Sequence, residues 1–169
     1  MTLDVLVAQQ EIRDVLIRYT RGIDRADDDL VRSCYWPDAH DDHGEYQGGL
    51  DGFIEFLATM RAYFARTMHF VGNQLVEVDG DTAHAESYCV AYHRREAHDG
   101  KPAHDLVMGL RYVDRMERRD GEWRIADRVC AFDWNRRDEV TGEWAFGPNV
   151  VHGTRGPDDP VFERRISPS

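Results

Sequence analysis

Three short turns govern what this chain can fold into. From Gln74 to Arg136 the sequence runs through "QLVEV", "TAHAESYCVAYHRR", "HDLVMGLRYVDRMER" and "EWRIADRVCAFDWNR", and these stretches are separated by "DGD", "HDG" and "RDG". Alternation of apolar and polar residues puts successive side chains on opposite faces of a strand. Asp-Gly between such runs accepts the positive φ of a tight hairpin. The four runs are therefore expected to form an antiparallel meander.

Upstream the period changes from two to that of a helix. Leu6, Val7, Ile12, Leu16, Ile17 and Ile23 mark an amphipathic first helix, with Gly22 expected to loosen its end. "RADDD" offers capping groups for a short second helix carrying Leu30, Val31 and Cys34 and ended by Pro37. "AHDDHGEYQG" reads as a short strand and turn, and "LDGFIEFLATMRAYFART" as a third helix with Phe53, Ile54, Phe56, Leu57, Met60, Tyr63 and Phe64 on its apolar positions. Helices first and strands afterwards imply an α+β domain, the helices packed on one face of a curved antiparallel sheet. A length of 169 residues suits one domain. Residues 1–140 are assigned to it, and residues 141–169, rich in Gly and Pro, to an extension acting as a lid or subunit contact. In that tail Trp144, Phe146 and Val150 are suited to closing a pocket mouth.

Several function classes are disfavoured. A net charge of −11 repels phosphate backbones and anionic membrane surfaces, so neither nucleic acid nor membrane is an expected partner. Cys34, Cys89 and Cys130 are widely spaced without a CxxC pair, which suggests buried free thiols in a reducing compartment. "MTLDVLVAQQEIRD" has acids and glutamines where an export signal would begin with basic residues, and the expected location is cytoplasmic. No GxGxxG, P-loop, nucleophile elbow or HExxH occurs, and the acidic clusters "DRADDD" and "DAHDD" lack calcium-loop spacing. No cofactor and no metal is expected.

The polar residues placed to face inward are the remaining source of chemistry. His69 sits between Met68 and Phe70 in "TMHFVGN", where a helical pattern gives way to a strand. A lone histidine on an apolar face is usually a satisfied core residue. Upstream, "RYTRGID" puts Tyr19 and Asp24 near the end of the first helix, where both can flank a cavity between helix and sheet. An aspartate there can hold one imidazole nitrogen of His69 and raise the basicity of the other, which makes a general base. Asp24 can equally serve as the N-cap of the second helix, and composition alone favours that use.

"RYTRGID", "TMHFVGN" and "GLRYVDRMERRDGEWRI", with the order of elements from Leu6 to Asn135, resemble the SnoaL-like branch of the nuclear transport factor 2-like superfamily. That branch includes scytalone dehydratase, bile-acid 7α-dehydratase and hexachlorocyclohexane dehydrochlorinase. The resemblance implies a cone-shaped α+β barrel and cofactor-free elimination by a His69–Asp24 dyad. It puts Tyr19 where a donor polarises a carbonyl or assists a leaving group, and Arg128 at a pocket arginine, although a salt-bridged strand arginine is the simpler reading of that residue. His43 stands where the dehydratases have a second pocket tyrosine; it could supply another acid or base, or merely neighbour Asp42 in solvent. Tyr112 matches a pocket tyrosine, with Met108 and Leu110 as apolar wall on the same strand face. Tyr92 is preferred as the inward residue of its strand because Tyr88, Val90 and Tyr92 form the bulkier stripe, whereas a one-residue slip would turn His93 inward instead. His84, His98, His104 and His152 match no role and read as surface or turn residues.

The expectation is a cofactor-independent lyase, a dehydratase or related eliminase, acting on a small cyclic or aromatic molecule. Retro-aldol release and double-bond isomerisation would use the same groups, and a non-catalytic ligand carrier or assembly module is the alternative from another class. A second apolar sheet face suggests a homo-oligomer, with a trimer favoured over a dimer.

Overall fold

The structure is a computed structural model that describes residues 2–163. Helix α1 (Leu3–Arg25) is capped by Thr2, whose side chain accepts from the Val5 N–H, and it buries Ala8, Ile12, Val15, Leu16 and Tyr19 along one face. Its end is set by Ala26 in the left-handed region, φ 55°, whose N–H returns to the carbonyls of Gly22 and Ile23. Helix α2 (Asp28–Ser33) follows at once, and its cap is Asp27, which accepts from Leu30 N at 2.9 Å. Asp24 is therefore not used as a cap.

Gly22 does not loosen α1; it lets α2 approach. A Cβ on Gly22 would lie 2.7 Å from Val31 Cγ2 and 3.2 Å from the Asp27 carbonyl oxygen, so the corner between the helices closes only on glycine. This corner aims the last turn of α1, and with it Asp24, at the sheet.

The strands are β1 (Tyr35–Asp42), β2 (Gln47–Gly49), β3 (Arg66–Asp79), β4 (Thr82–Arg95), β5 (His104–Arg119) and β6 (Glu122–Glu139), with helix α3 (Leu50–Tyr63) between β2 and β3. The order across the sheet is β2-β1-β6-β5-β4-β3. The antiparallel meander of the four long strands is present, joined by turns in which Gly80, Asp99–Gly100 and Asp120–Gly121 hold positive φ. Two expectations are corrected. The sheet is mixed, because β1 runs parallel to β6. It also stays unclosed, with β2 and β3 as its edges. Pro37 does not end α2, which stops at Ser33; it lies inside β1, in the stretch between Tyr35 and His40 where the register with β6 shifts. A residue without an N–H belongs where the ladder is interrupted.

The core fills the space between the helices and the concave face of the sheet, where Ile12, Leu16, Tyr19, Tyr35, Phe53, Tyr112, Met116 and Ile125 are buried. On β4 the inward residues are small, Ala83, Ala85, Ser87, Cys89 and Ala91, while Tyr88 and Tyr92 are exposed on the other face. Small residues there leave room beneath the helices. Two side chains of α1 reach the main chain of edge strand β3: Gln9 Nε2 donates to Val76 O at 2.9 Å, and Asp24 Oδ2 accepts from His69 N at 2.9 Å. No helix among the described residues is long and apolar enough to cross a membrane.

Candidate active site

A cavity of about 670 Å³ opens between α1, α3 and the concave face of β3–β6. Ile23, Phe56, Leu57, Met60, Phe64, Leu106, Met108, Leu110 and Phe132 supply its apolar walls, and Tyr19, Tyr112, His43, His69, His93, Thr67 and Arg155, with Glu45 and Arg61, its polar groups. A few fixed polar groups in an apolar hollow is the usual make-up of a small-molecule site. A second depression of about 690 Å³ lies outside α1, bordered by Glu11, Asp14, Arg18, Glu122 and Arg124, but it brings together surface charges and no histidine.

On the β3 flank, Asp24 Oδ1 lies 2.8 Å from His69 Nδ1, and the same carboxylate accepts from Thr67 Oγ1 at 2.9 Å and from His69 N at 2.9 Å. Burial alone would raise the Asp24 pKa; the hydrogen bonds and charge of His69, with Thr67, outweigh it and lower the value. An ionised carboxylate only accepts, so Nδ1 carries a hydrogen, and in the neutral form of the ring the lone pair is on Nε2. Both side chains are nearly enclosed, at 7% and 13% exposure for His69 and Asp24.

His93 stands edge-on to His69, with ring centroids 5.4 Å apart. Its position corrects the preference for Tyr92, which is exposed on the outer face. Side-chain bulk misled that reading, because the bulky stripe of β4 faces out and the small one faces the cavity. Burial, and then the neighbouring His69, push the His93 pKa down from 6.5 to about 4, although Asp24 and two backbone bonds act the other way. A histidine depressed in the folded state contributes stability that is fully present above its unfolded pKa and is lost as the pH falls towards its folded one. Stability should accordingly drop by on the order of 3 kcal/mol between pH 6.5 and 4, and His93→Phe should flatten that slope in urea titrations. The lowered aspartates act only below about pH 3.9, so the two windows separate.

On the β1 flank a second pair appears. His43 Nδ1 lies 2.9 Å from Asp41 Oδ1, and its partner is thus the buried Asp41; Asp42 instead braces the turn through Gly44 N and Gln47 Nε2. Tyr35 Oη donates to Asp41 Oδ2 at 2.6 Å, and Arg128 Nη1 to Tyr35 Oη at 3.2 Å. Arg128 in turn holds Asp114 through both nitrogens of its fork, at 2.7 and 2.8 Å. Despite its burial, these partners hold the Asp41 pKa below its usual value, His43 foremost.

Arg128 does not border the cavity, which corrects its assignment to substrate contact. It is fully buried, with the rings of Tyr19 and Tyr112 at 4.1 and 4.3 Å covering the guanidinium. A desolvated guanidinium needs a carboxylate, and Asp114 fills that role. Tyr19, Tyr112, Met108 and Leu110 border the cavity, the two tyrosines edge-to-face at 5.6 Å. Burial raises both phenol pKa values well above 10, so each stays a neutral hydroxyl. His104 is a buried residue beside Arg137 and not a surface one. In the tail, Trp144 and Phe146 are exposed and Arg155 is the residue that reaches the cavity.

The sequence matches the SnoaL-like domain over residues 4–129. The uncharacterized protein Rv2910c of Mycobacterium tuberculosis is 36% identical over 124 residues, which is 70% of this chain and 81% of that one. Among solved structures, the hexachlorocyclohexane dehydrochlorinase LinA-type3 of Novosphingobium barchaimii aligns with a TM-score of 0.73 at 19% identity, covering 86% of this chain and 99% of the other. A Novosphingobium aromaticivorans protein named after scytalone dehydratase gives 0.71 at 20% identity, covering 86% and 100%. At these identities the likeness is one of fold.

Proposed function

This chain belongs to the SnoaL-like domain family, and on that premise we propose that it is a cofactor-independent lyase that eliminates water or a comparable group from a small cyclic or aromatic compound. The observation that carries the reading is the Asp24–His69 pair, clamped by three hydrogen bonds on the wall of an apolar cavity. His69 Nε2 takes a proton from the carbon next to the one bearing the leaving group, and the C–H electrons become the new double bond. The C–O bond breaks, and the departing oxygen takes a proton from His43, held by Asp41, to leave as water. Tyr19 and Tyr112 offer neutral hydroxyls to a substrate oxygen. Asp24 keeps the imidazolium oriented and balanced until it returns its proton to solvent. The dehydrochlorinase among the fold relatives makes elimination the chemistry to test first. Isomerisation by proton transfer is a second reading, favoured by the presence of two His–Asp pairs in one cavity.

The test is a panel of hydroxylated aromatic and alicyclic compounds, followed by the absorbance of a new conjugated double bond, with and without chelator. Turnover insensitive to chelator is expected. Binding without turnover across the panel would make the protein a carrier.

The outer sheet face supports a proposal about assembly. Met68 pairs with Tyr92, Phe70 with Val90, Val90 with Gly109, and Gly109 with Trp134, so one continuous apolar band crosses β3 to β6 on the side away from the helices. Met68, Phe70, Tyr92 and Trp134 are exposed on it. The band is the surface through which copies of the chain associate, a trimer being the expected form and a dimer the alternative. Light scattering at micromolar concentration should show the oligomer, and a monomer there would overturn the assembly proposal.

A further inference from the structure

Residues 154–161 are pinned to the end of α1. Asp159 accepts from the N–H groups of Thr154 and Val161 at 2.8 and 2.9 Å, Gly156 N donates to Arg25 O at 2.9 Å, and Arg25 Nε lies 3.5 Å from Asp159 Oδ1. This fixed loop delivers Arg155 to the cavity, where Nη1 donates to Phe64 O at 2.7 Å and Nη2 to Thr67 Oγ1 at 3.3 Å. Its charge is poorly compensated. Among the described residues no carboxylate forms an ion pair with it, and its buried Nε has no partner. The nearest acid, Asp24, already accepts from Thr67 and twice from His69. Burial foremost, and then the charge of Arg61, pull the Arg155 pKa below its usual value, with Asp24 opposing. A cation held beside apolar walls with its nearest carboxylate one side chain away is stabilised by any ligand that brings an anion into direct contact.

We propose that Arg155 is the receptor for a carboxylate on the substrate, so that the ring compound taken by this cavity is a small carboxylic acid. Arg61 also borders the cavity, but both oxygens of Asp28 already hold it, so the charge left to a ligand is that of Arg155, whose bonds go to neutral oxygens and which matches a monoanion. Thr67 links Arg155 to Asp24, so the bound carboxylate sits on the His69 flank and selects which edge of the ring meets the base. This rests on the elimination reading only for what happens after binding, and binding can be measured alone.

Calorimetry on the whole chain with benzoate and its neutral counterpart benzyl alcohol separates the two. The protein should bind benzoate roughly tenfold or more tightly than benzyl alcohol at low salt. Arg155→Met should abolish that preference while leaving benzyl alcohol unaffected, Arg155→Lys should retain part of it, and His69→Ala should keep it whole. An unmutated protein without preference would overturn the proposal whether or not the variants fold. So would equal weakening of both probes in Arg155→Met, the mark of a tail clasp, or loss of the preference in His69→Ala alone. A protein that turns over nothing but keeps the Arg155-dependent preference would reject the lyase reading and leave this one standing.

Discussion

Replacing His69 by alanine should lower turnover by roughly 10²–10⁴-fold, the usual contribution of a positioned general base, and Asp24→Asn should act in the same direction. The first removes the imidazole that Asp24 orients. The second keeps the volume but only one acceptor oxygen, so the bonds that Thr67 gives to Oδ1 and His69 N to Oδ2 cannot both survive, and it removes the negative charge that balances an imidazolium. Neither should unfold the chain, because His69 borders an existing cavity and the asparagine side chain matches the aspartate in size. Circular dichroism and a thermal melt check that point. Unchanged turnover would reject the dyad, and loss of soluble protein would make His69 a packing residue.

Arg128→Met should produce the largest loss of stability. It strands Asp114, which is 0% exposed, without the cation that holds both of its oxygens. Breaking one side of a buried pair costs about 3–5 kcal/mol, which for a chain of this size lowers the melting temperature by roughly 10 °C or more. Burial already pushes the Asp114 pKa up even with Arg128 in place. A carboxyl raised in the folded state contributes stability that is present below its unfolded pKa and lost as the pH rises through its folded one. The deficit in Arg128→Met should therefore grow with pH. Replacing both partners, Arg128→Met with Asp114→Leu, should recover much of the stability. A double variant as unstable as the single one would show that the cost lies in the Tyr35 and Asp41 contacts.

The hairpins were legible because Asp-Gly turns and strand alternation are local signals, and so was the end of α1, where Tyr19 and Asp24 share the last turns. What escaped was non-local. The parallel pairing of β1 with β6 depends on where a crossover lands. Tyr92 was read inward on bulk, yet His93 shares its strand face with Ala91, Cys89 and Ser87, and parity alone would have found it. Parity also marks Asp114, which falls between Tyr112 and Met116 in the inward stripe of β5, as an acid that needs a buried cation. The D-x-H spacing of Asp41 and His43 stands in "HDDH", but nothing local tells which of the two adjacent aspartates turns inward. Arg155 carried no sequence signal, since its role depends on how the tail folds back.

The bonds from Gln9 and Asp24 of α1 to the main chain of β3 bear on aggregation. An edge strand offers unpaired N–H and C=O groups on which a foreign strand can template, and such growth has no natural stop. At Val76 O and His69 N those groups are already taken by a helix of the same molecule. The outer-face association proposed above would leave this edge free, whereas copies joined edge to edge would continue into a fibre. Asp24 thus covers the edge with one oxygen while the other holds the imidazole, and loss of this carboxylate would free a strand N–H at the same time as it releases the ring.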